Sequence, residues 1–128
     1  MAKIVFCEDE IMLQELFCLR MRSMEHKIYV APDGIEGLEF IEREKPDLIL
    51  TDIAMPRCDG FELAKAVREH PDLATTPIIF VTAYAQTYDK AEAARYNPVD
   101  YLIKPFAAAY LRDTITAALL KHTRPDKT

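Results

Sequence analysis

The fold of this chain is decided by the stretch Leu48-Ile49-Leu50-Thr51-Asp52-Ile53-Ala54-Met55-Pro56, which leads to Asp59-Gly60. It begins with consecutive apolar and β-branched residues, a pattern typical of a strand buried on both faces of a parallel sheet. We predict this strand over residues 47–51, with the carboxylate of Asp52 directly at its end. Residues 60–69 then have the apolar spacing of an amphipathic helix. The stretch therefore predicts a buried strand that ends in an acid and leads into a helix.

The same alternation continues on both sides of this stretch. Short apolar runs predict strands, and the longer segments between them have helical spacing. The predicted strands are residues 3–7, 27–31, 47–51, 77–82 and 99–103, and the predicted helices are residues 11–24, 34–43, 60–69, 87–96 and 107–122. Alternation of this kind predicts an α/β fold with a parallel sheet and helices on both of its faces.

Composition and charge exclude several classes of protein. The chain has 128 residues, of which 50% are hydrophobic and 29% charged, so it can form a core and is not disordered. The 16 Lys and Arg against 21 Asp and Glu give a net charge of −5, which argues against direct binding to nucleic acid. Neither a signal peptide nor a membrane-spanning stretch is visible, so we expect a soluble cytoplasmic protein without membrane insertion.

We expect one domain over residues 1–122 and a short polar tail over residues 123–128, which leaves no room for an output domain within this length. The three cysteines, Cys7, Cys18 and Cys58, do not have the spacing of a metal site. Apolar residues surround Cys7 and Cys18 in the sequence, and we therefore expect these two to be buried free thiols.

Acids, a hydroxyl and a lysine follow the predicted strands. Glu8-Asp9-Glu10 comes after the first strand, Asp52 ends the third, Thr82 ends the fourth and Lys104-Pro105 follows the fifth. Open α/β sheets bind their ligands at the carboxyl ends of the strands, so these side chains are expected at one edge. Taken singly, each has an ordinary explanation as a helix cap, a charged helical turn or a surface residue. Their joint position at one edge favours a site.

The chemistry of that edge suits a divalent cation and a phosphoryl group. Carboxylates brought close together repel each other, and Mg²⁺ relieves the repulsion because it prefers carboxylate, carbonyl and water oxygens. Such a metal neutralises phosphoryl oxygens, and a lysine and a hydroxyl can hold the remaining ones. A central carboxylate can itself be the nucleophile and form an aspartyl phosphate, for which Asp52 is the best candidate.

Several segments carry a recognisable pattern: Glu8-Asp9-Glu10, Asp52-Ile53-Ala54-Met55-Pro56 followed by Asp59-Gly60, Val81-Thr82-Ala83, and Asp100-Tyr101-Leu102-Ile103-Lys104-Pro105-Phe106. Together they resemble the receiver domain of the response regulators of two-component signalling, in particular the stand-alone, chemotaxis-regulator-like single domain. The resemblance covers essentially the whole chain. It implies a flavodoxin-like fold, with a doubly wound five-stranded parallel sheet of strand order 2-1-3-4-5 and five helices.

The resemblance also implies the chemistry of the site. Asp52 would be the phosphoacceptor, which takes a phosphoryl group from a histidine kinase or a histidine phosphotransfer protein. Mg²⁺ would be the cofactor, held by the carboxylates of Asp9 and Asp52 and by the backbone carbonyl of Ala54, while Glu8 acts through a water molecule. The chain would then be a signalling module in a two-component system or phosphorelay, and not an enzyme.

The remaining implied roles concern the switch. Thr82 would donate a hydrogen bond to the phosphoryl group, and Lys104 would exchange a carboxylate for a phosphoryl oxygen. The Lys104–Pro105 peptide bond is expected to be cis. The ring of Tyr101 would turn inward as Thr82 moves, and this would change a protein-interaction face. That face would act on a downstream protein in trans, through an effector domain absent from this chain, or in a phosphorylation-dependent dimer.

Some residues depart from the family pattern or exceed what a core needs. Ala54 cannot hydrogen-bond an attacking water and the bulky Tyr84 can shield the phosphoryl group, so we predict slow self-dephosphorylation. The first helix carries more apolar residues than one core-facing stripe requires. We expect Met12, Leu19 and Met24 on an outward face that suits a helix of the phosphodonor, with burial of these side chains as the alternative.

Other functions remain possible at this stage. A phosphate-independent adaptor of the same fold is one alternative, although the complete set of acids, Thr82 and Lys104 argues against it. A small Mg²⁺-dependent phosphatase is less favoured, because Ala54 stands where such enzymes have a second Asp. A nucleotide-binding domain would need a glycine-rich first turn, which the residues after the first strand lack.

Overall fold

The computed structural model describes residues 1–83 and 87–121, with only the backbone described at Ala83 and at residues 87–90. Strands and helices alternate along the whole of it. The elements are β1 (Lys3–Cys7), α1 (Ile11–Met21), β2 (Lys27–Ala31), α2 (Gly34–Glu44), β3 (Leu48–Asp52), α3 (Gly60–Glu69), β4 (Ile78–Ala83), α4 (Thr87–Ala94), β5 (Asp100–Lys104) and α5 (Ala108–Lys121). The predicted element ends differ from these by at most three residues, the largest difference being at the end of α1.

All neighbouring strands of the sheet are parallel, and their order is β2-β1-β3-β4-β5. This confirms the predicted fold class and strand order. Strand β3 lies at the centre, between β1 and β4, and each of its five residues is buried. The register pairs Cys7 with Thr51 and Asp52 with Val81. The carboxyl ends of β1, β3 and β4 therefore lie side by side.

Each face of the sheet has its own core. Ile4 and Phe6 of β1 point to the face covered by α1 and α5, whereas Val5 and the free thiol Cys7 point to the face covered by α2 and α3. This follows from the alternation of side chains along a strand. On the α1 face, the ring of Phe6 stacks on that of Phe17, with centroids 4.1 Å apart. The continuous apolar runs of the sequence are thus explained by burial on both faces.

Local side-chain bonds define where the helices begin and end. Asp33 and Asp59 cap the N-termini of α2 and α3, and Asp59 forms a capping box with Glu62. After α4 the chain turns at Asn97, which has a left-handed φ of 53°. Arg68 of α3 donates hydrogen bonds to the carbonyls of the loop before β5 and of the loop before β4. These bonds fix both loops against the end of α3.

Side chains of α1 and of the turn after it agree with the predictions only in part. Met12 and Leu19 are exposed to 81% and 56%, as predicted. Met24 is half-buried and packs against the core, so for this residue the alternative of burial holds. Cys18 is exposed, and the prediction of a buried thiol is wrong. The reason is helical geometry, since Phe17 takes the core-facing position and the next residue is turned away from it.

Two predictions fall on residues outside the described part of the chain. One is the shielding role of Tyr84. The other is the polar tail over residues 123–128, together with the domain boundary at residue 122. Among the described residues, no helix is both long and apolar enough to cross a membrane.

The stacked pair of phenylalanines predicts a large and local effect on stability. Phe17→Ala removes a fully buried ring beside Phe6 and should lower the free energy of unfolding by about 3–5 kcal/mol. Leu19→Ala on the exposed face of the same helix should change it by less than about 0.5 kcal/mol. Urea denaturation followed by circular dichroism measures both values. Equal losses in the two variants would contradict the assignment of the core-facing side of α1.

Candidate functional site

The carboxyl edge of the sheet brings three carboxylates together. Glu8 and Asp9 follow β1, and Asp52 is the last residue of β3. One oxygen from each lies within 4.8 Å of the others. Glu8 and Asp52 are buried, and Asp9 is exposed to solvent. The predicted proximity of these acids follows from the parallel pairing of β1 with β3, which aligns their carboxyl ends.

Lys104, the last residue of β5, reaches across the end of β4 to these acids. Its Nζ donates a hydrogen bond to Asp52 Oδ2 at 2.9 Å and lies 3.1 Å from Glu8 Oε1. Burial alone would lower the pKa of Lys104, but the hydrogen bonds and charges of Asp52 and Glu8 outweigh burial and raise it. The lysine is therefore a fixed cation that partly neutralises the acidic cluster.

Glu8 is the most enclosed of the three acids, with a relative exposure of 0%. Burial and the charge of Asp52 raise its pKa to about 7. Its Oε2 accepts a hydrogen bond from the Glu10 amide at 3.1 Å, and its buried Oε1 forms an ion pair with Lys104 Nζ at 3.1 Å. The buried carboxylate of Glu8 is thus held by one amide and one ammonium group, and it shares that ammonium group with Asp52.

The loop after β3 carries the other oxygen that the sequence analysis assigned to the metal. Ala54 is exposed, two residues beyond Asp52. The start of α3 closes onto this loop, since the Gly60 amide donates to the Ile53 carbonyl at 2.9 Å. A Cβ at Gly60 would collide with the Asp52 carbonyl, so the close approach requires glycine. The backbone around the phosphoacceptor candidate is thus held tightly from the side of α3.

Thr82 and the peptide bond after Lys104 complete the edge. Thr82 is buried near the end of β4, opposite Ile103 in the register with β5. The Lys104–Pro105 peptide bond is cis. The side chains of Glu8, Asp9, Asp52, Thr82 and Lys104 therefore all belong to the same edge of the sheet.

Tyr101 lies apart from the acids, three residues before Lys104 on β5. It is half-buried, and its ring lies 6.5 Å from that of Phe80 on the neighbouring strand β4. Burial raises the pKa of its hydroxyl. The hydroxyl of Tyr110 on α5 donates to the Tyr101 carbonyl at 3.3 Å. The ring thus packs at the margin of the core on the α2 and α3 face, and the backbone carbonyl of Tyr101 accepts the bond from α5.

Sequence reasoning missed residues that shape the loops of the site. Gln14 Nε2 on α1 donates to the Glu8 carbonyl at 2.6 Å and fixes the turn after β1. Arg57 in the loop after β3 pairs with Asp33 at the start of α2, at 2.6 Å. Neither contact corresponds to a sequence motif, because the fold of the sheet brings the two residues of each pair together.

The donor set fits a hard divalent cation. Carboxylate oxygens of Glu8, Asp9 and Asp52 lie close together, and the exposed Asp9 leaves an open side for water. Mg²⁺ suits such a site better than a softer metal, because no His or Cys belongs to this cluster.

Comparisons with known proteins agree on one family. The family model described as "Response regulator receiver domain" matches residues 4–116. The response regulator ArlR of Staphylococcus saprophyticus is 36% identical over 119 residues, covering 93% of this chain and 53% of that protein. The regulator ycf27 of Cyanophora paradoxa is 29% identical, covering 96% of this chain and 50% of that protein. The chain thus spans about half the length of these curated relatives.

Solved structures give the same match. The chemotaxis response regulator CheY4 of Vibrio cholerae has a TM-score of 0.86 and 29% identity, covering 92% of this chain and 98% of that chain. The receiver domain of the sensor histidine kinase PA1611 from Pseudomonas aeruginosa has a TM-score of 0.85 and 29% identity, covering 92% of this chain and 97% of that chain. The latter structure holds a magnesium ion coordinated in its active-site cleft.

The fixed cation of Lys104 should compete with a metal ion. Lys104→Met removes a positive charge 2.9 Å from Asp52 and should tighten Mg²⁺ binding by about tenfold, since charges this close in a partly buried site interact by more than about 1 kcal/mol. Titration of amide shifts in ¹⁵N-labelled protein with MgCl₂ measures the Kd. Lys65→Met, an exposed lysine on α3, should leave the Kd unchanged. Weaker binding in Lys104→Met would contradict the competition.

Proposed function

This chain belongs to the response regulator receiver domain family, and we propose that it accepts a phosphoryl group on Asp52 and thereby switches a protein-interaction surface. Receiver domains are signalling modules that interact with histidine kinases or phosphotransfer proteins and with downstream targets. The observation that carries the proposal is the contact of Lys104 with Asp52 within the acidic cluster. A nucleophilic carboxylate needs such neighbouring cations to bring a phosphate close.

The proposed reaction transfers a phosphoryl group from a phosphohistidine of the partner. A carboxylate oxygen of Asp52 attacks phosphorus, the N–P bond breaks, and the electron pair returns to the imidazole nitrogen of the partner, which then takes a proton. We assign Mg²⁺ to the carboxylates of Asp9 and Asp52, the Ala54 carbonyl and, through water, Glu8. When bound, the metal neutralises phosphoryl oxygens. The magnesium ion in the similar PA1611 receiver domain supports this assignment.

The proposed switch follows from the charge that phosphorylation adds, about −1.5 to −2 with three acceptor oxygens. Lys104 exchanges its bond to Asp52 for one to a phosphoryl oxygen, and Thr82 donates its hydroxyl to another. The half-buried ring of Tyr101 then turns further inward beside Phe80. This rotation alters the surface that β5 shares with its neighbouring helices, which contacts a downstream protein, an effector domain outside this chain or a second copy. The cytoplasmic location predicted from the sequence belongs to the same proposal.

The exposed face of α1 is the proposed contact for the phosphodonor. Ile11 and Met12 are exposed to 67% and 81%, and they begin the helix directly after the acidic residues Glu8 and Asp9. Leu19 continues the exposed apolar surface two turns further on. A helix of the donor that packs here brings its phosphohistidine to the edge where Asp52 lies. Exposed apolar surface next to a reactive site is typical of a protein-binding surface.

Chemical phosphorylation tests the proposal without a partner protein. With Mg²⁺ and acetyl phosphate, the chain should gain the mass of one phosphoryl group, and Asp52→Ala should gain none. Asp100→Ala, an exposed acid on β5, serves as the control and should label normally. An unlabelled wild-type chain would favour a phosphate-independent adaptor, and steady hydrolysis of p-nitrophenyl phosphate would favour a phosphatase. Either result would overturn the proposal.

The phosphorylated chain should lose its phosphoryl group slowly. Ala54 is exposed beside Asp52, and its methyl group offers no hydrogen bond to an attacking water. We expect Ala54→Asn to accelerate the loss by about tenfold, because an amide can orient that water. Ala109→Asn on the exposed side of α5 is the matched control and should have no effect. Mass spectrometry of samples taken after removal of acetyl phosphate measures the rates, and loss within seconds from the wild type would refute slow dephosphorylation.

A further inference from the structure

The loop between β3 and α3 is fastened to the start of α2 by an ion pair. Arg57 donates from Nη2 and Nε to Oδ2 of Asp33, at 2.6 and 3.1 Å. A backbone hydrogen bond runs beside it, from the Gly34 amide to the Cys58 carbonyl at 3.1 Å. A Cβ on Gly34 would collide with that carbonyl, so the helix and the loop lie in direct backbone contact. The start of α2 therefore supports this loop through a side-chain pair and a backbone hydrogen bond.

The two oxygens of Asp33 have separate tasks. Oδ1 accepts the Glu36 amide at 2.9 Å and caps α2, whereas Oδ2 accepts only the guanidinium of Arg57 among the bonds described. The hydrogen bond from Glu36 and the contact with Arg57 hold the pKa of Asp33 below its usual value. Only 9% of the Asp33 side chain is exposed. Asp33 is thus a nearly buried residue that caps α2 with one oxygen and binds Arg57 with the other.

The backbone at Arg57 points to a role for its side chain. Its φ of 70° lies in the left-handed region, which glycine and asparagine adopt more easily. For a residue with a Cβ, this backbone conformation costs a free energy of about 1–2 kcal/mol relative to the right-handed one. Such strain persists when surrounding contacts over-determine the conformation, and it concentrates at functional sites. Two contacts hold it here: the Cys58 amide donates to the Pro56 carbonyl at 2.8 Å across Arg57, and the side chain of Arg57 pairs with Asp33.

The position of this pair connects it to the acidic cluster. The loop leaves β3 at Asp52 and carries Ala54, whose carbonyl the proposed function assigns to Mg²⁺. On one side the Gly60 amide holds Ile53, and on the other side Asp33 holds Arg57. The segment between these two fixed points contains Ala54. A change at Arg57 is therefore transmitted to the metal-binding carbonyl through a short, doubly anchored segment.

We propose that Arg57 is a positioning residue of the metal site, which through Asp33 keeps the loop of Ala54 in the conformation that binds Mg²⁺. This inference rests on the proposed function. Residues hydrogen-bonded directly to a metal ligand typically change affinity by about 10–100-fold when replaced. Arg57 acts at a greater distance, through the loop backbone, and we expect an effect of about three- to tenfold.

Substitution by glycine separates the side chain from the backbone. Arg57→Gly relieves the left-handed strain but removes the ion pair, so the Mg²⁺ Kd should rise about three- to tenfold while stability to urea stays equal or increases. Asp33→Asn keeps an oxygen for the cap of α2 but loses the charge, and it should raise the Kd similarly. The double variant should bind no more weakly than either single variant, because both remove the same contact.

The controls decide between the possible outcomes, with Kd again read from amide shifts during MgCl₂ titration. Lys3→Ala breaks a different ion pair, with Glu44, at the opposite end of β1, and its Kd should equal that of the wild type. Unchanged affinity in Arg57→Gly overturns the inference. So does a normal Asp33→Asn, because Arg57 would then act without Asp33. A wild type that neither binds Mg²⁺ nor labels at Asp52 instead overturns the proposed function, and the inference with it.

Discussion

Repulsion among carboxylates at one edge of the sheet is the constraint on which the rest of this structure depends. Glu8, Asp9 and Asp52 each place an oxygen within 4.8 Å of the others, an arrangement that is unfavourable unless a cation lies among them. Lys104 supplies one positive charge, at 2.9 Å from Asp52 and 3.1 Å from Glu8. Burial, and after it the charge of Asp52, raises the pKa of Glu8 to about 7 even with this positive charge beside it. In the proposed function, this cluster binds a divalent cation and, with it, a phosphoryl group. In the same proposal, the bond from Lys104 to Asp52 stabilises the unphosphorylated state and is exchanged when Asp52 is phosphorylated.

The parallel sheet makes this concentration of charge possible. Strand β3 is buried on both faces and pairs with β1 and β4, so its final carboxylate opens onto the edge between neighbouring strand ends. Strand β5 brings Lys104 to the same edge from one strand further away. Two separate apolar cores, one on each face, hold the strands in register. The stability of the fold thus comes from apolar packing on the faces, which leaves the edge free to carry polar groups that destabilise it locally.

Much of this could be predicted from local patterns. Runs such as Leu48-Ile49-Leu50 identify buried strands, and the polar residues that follow them identify the functional edge, because strand polarity is the same throughout a parallel sheet. Predictions for single side chains on helices were less secure. Cys18 lies beside the core-facing Phe17 and is exposed, and Met24 packs against the core beyond the end of α1. A shift of one residue along the helix, or a helix that ends earlier than predicted, changes which side chains face the core. The pair of Arg57 and Asp33 left no signal at all, because 24 residues separate its members.

The sequence by itself determined the alternation of strands and helices, the strand order through its family resemblance, and the residues that end each strand. These are properties of short segments, in which burial and backbone preference act on neighbouring residues. Only the tertiary structure decided the distances among the acids, the contacts of Lys104 with Glu8 and Asp52, and the anchoring of the loop of Ala54 to α2. Those features depend on register and on close backbone approach at Gly34 and Gly60. The physical reason is that electrostatic interactions and hydrogen bonds change strongly over about one ångström, a precision that only the packed core provides.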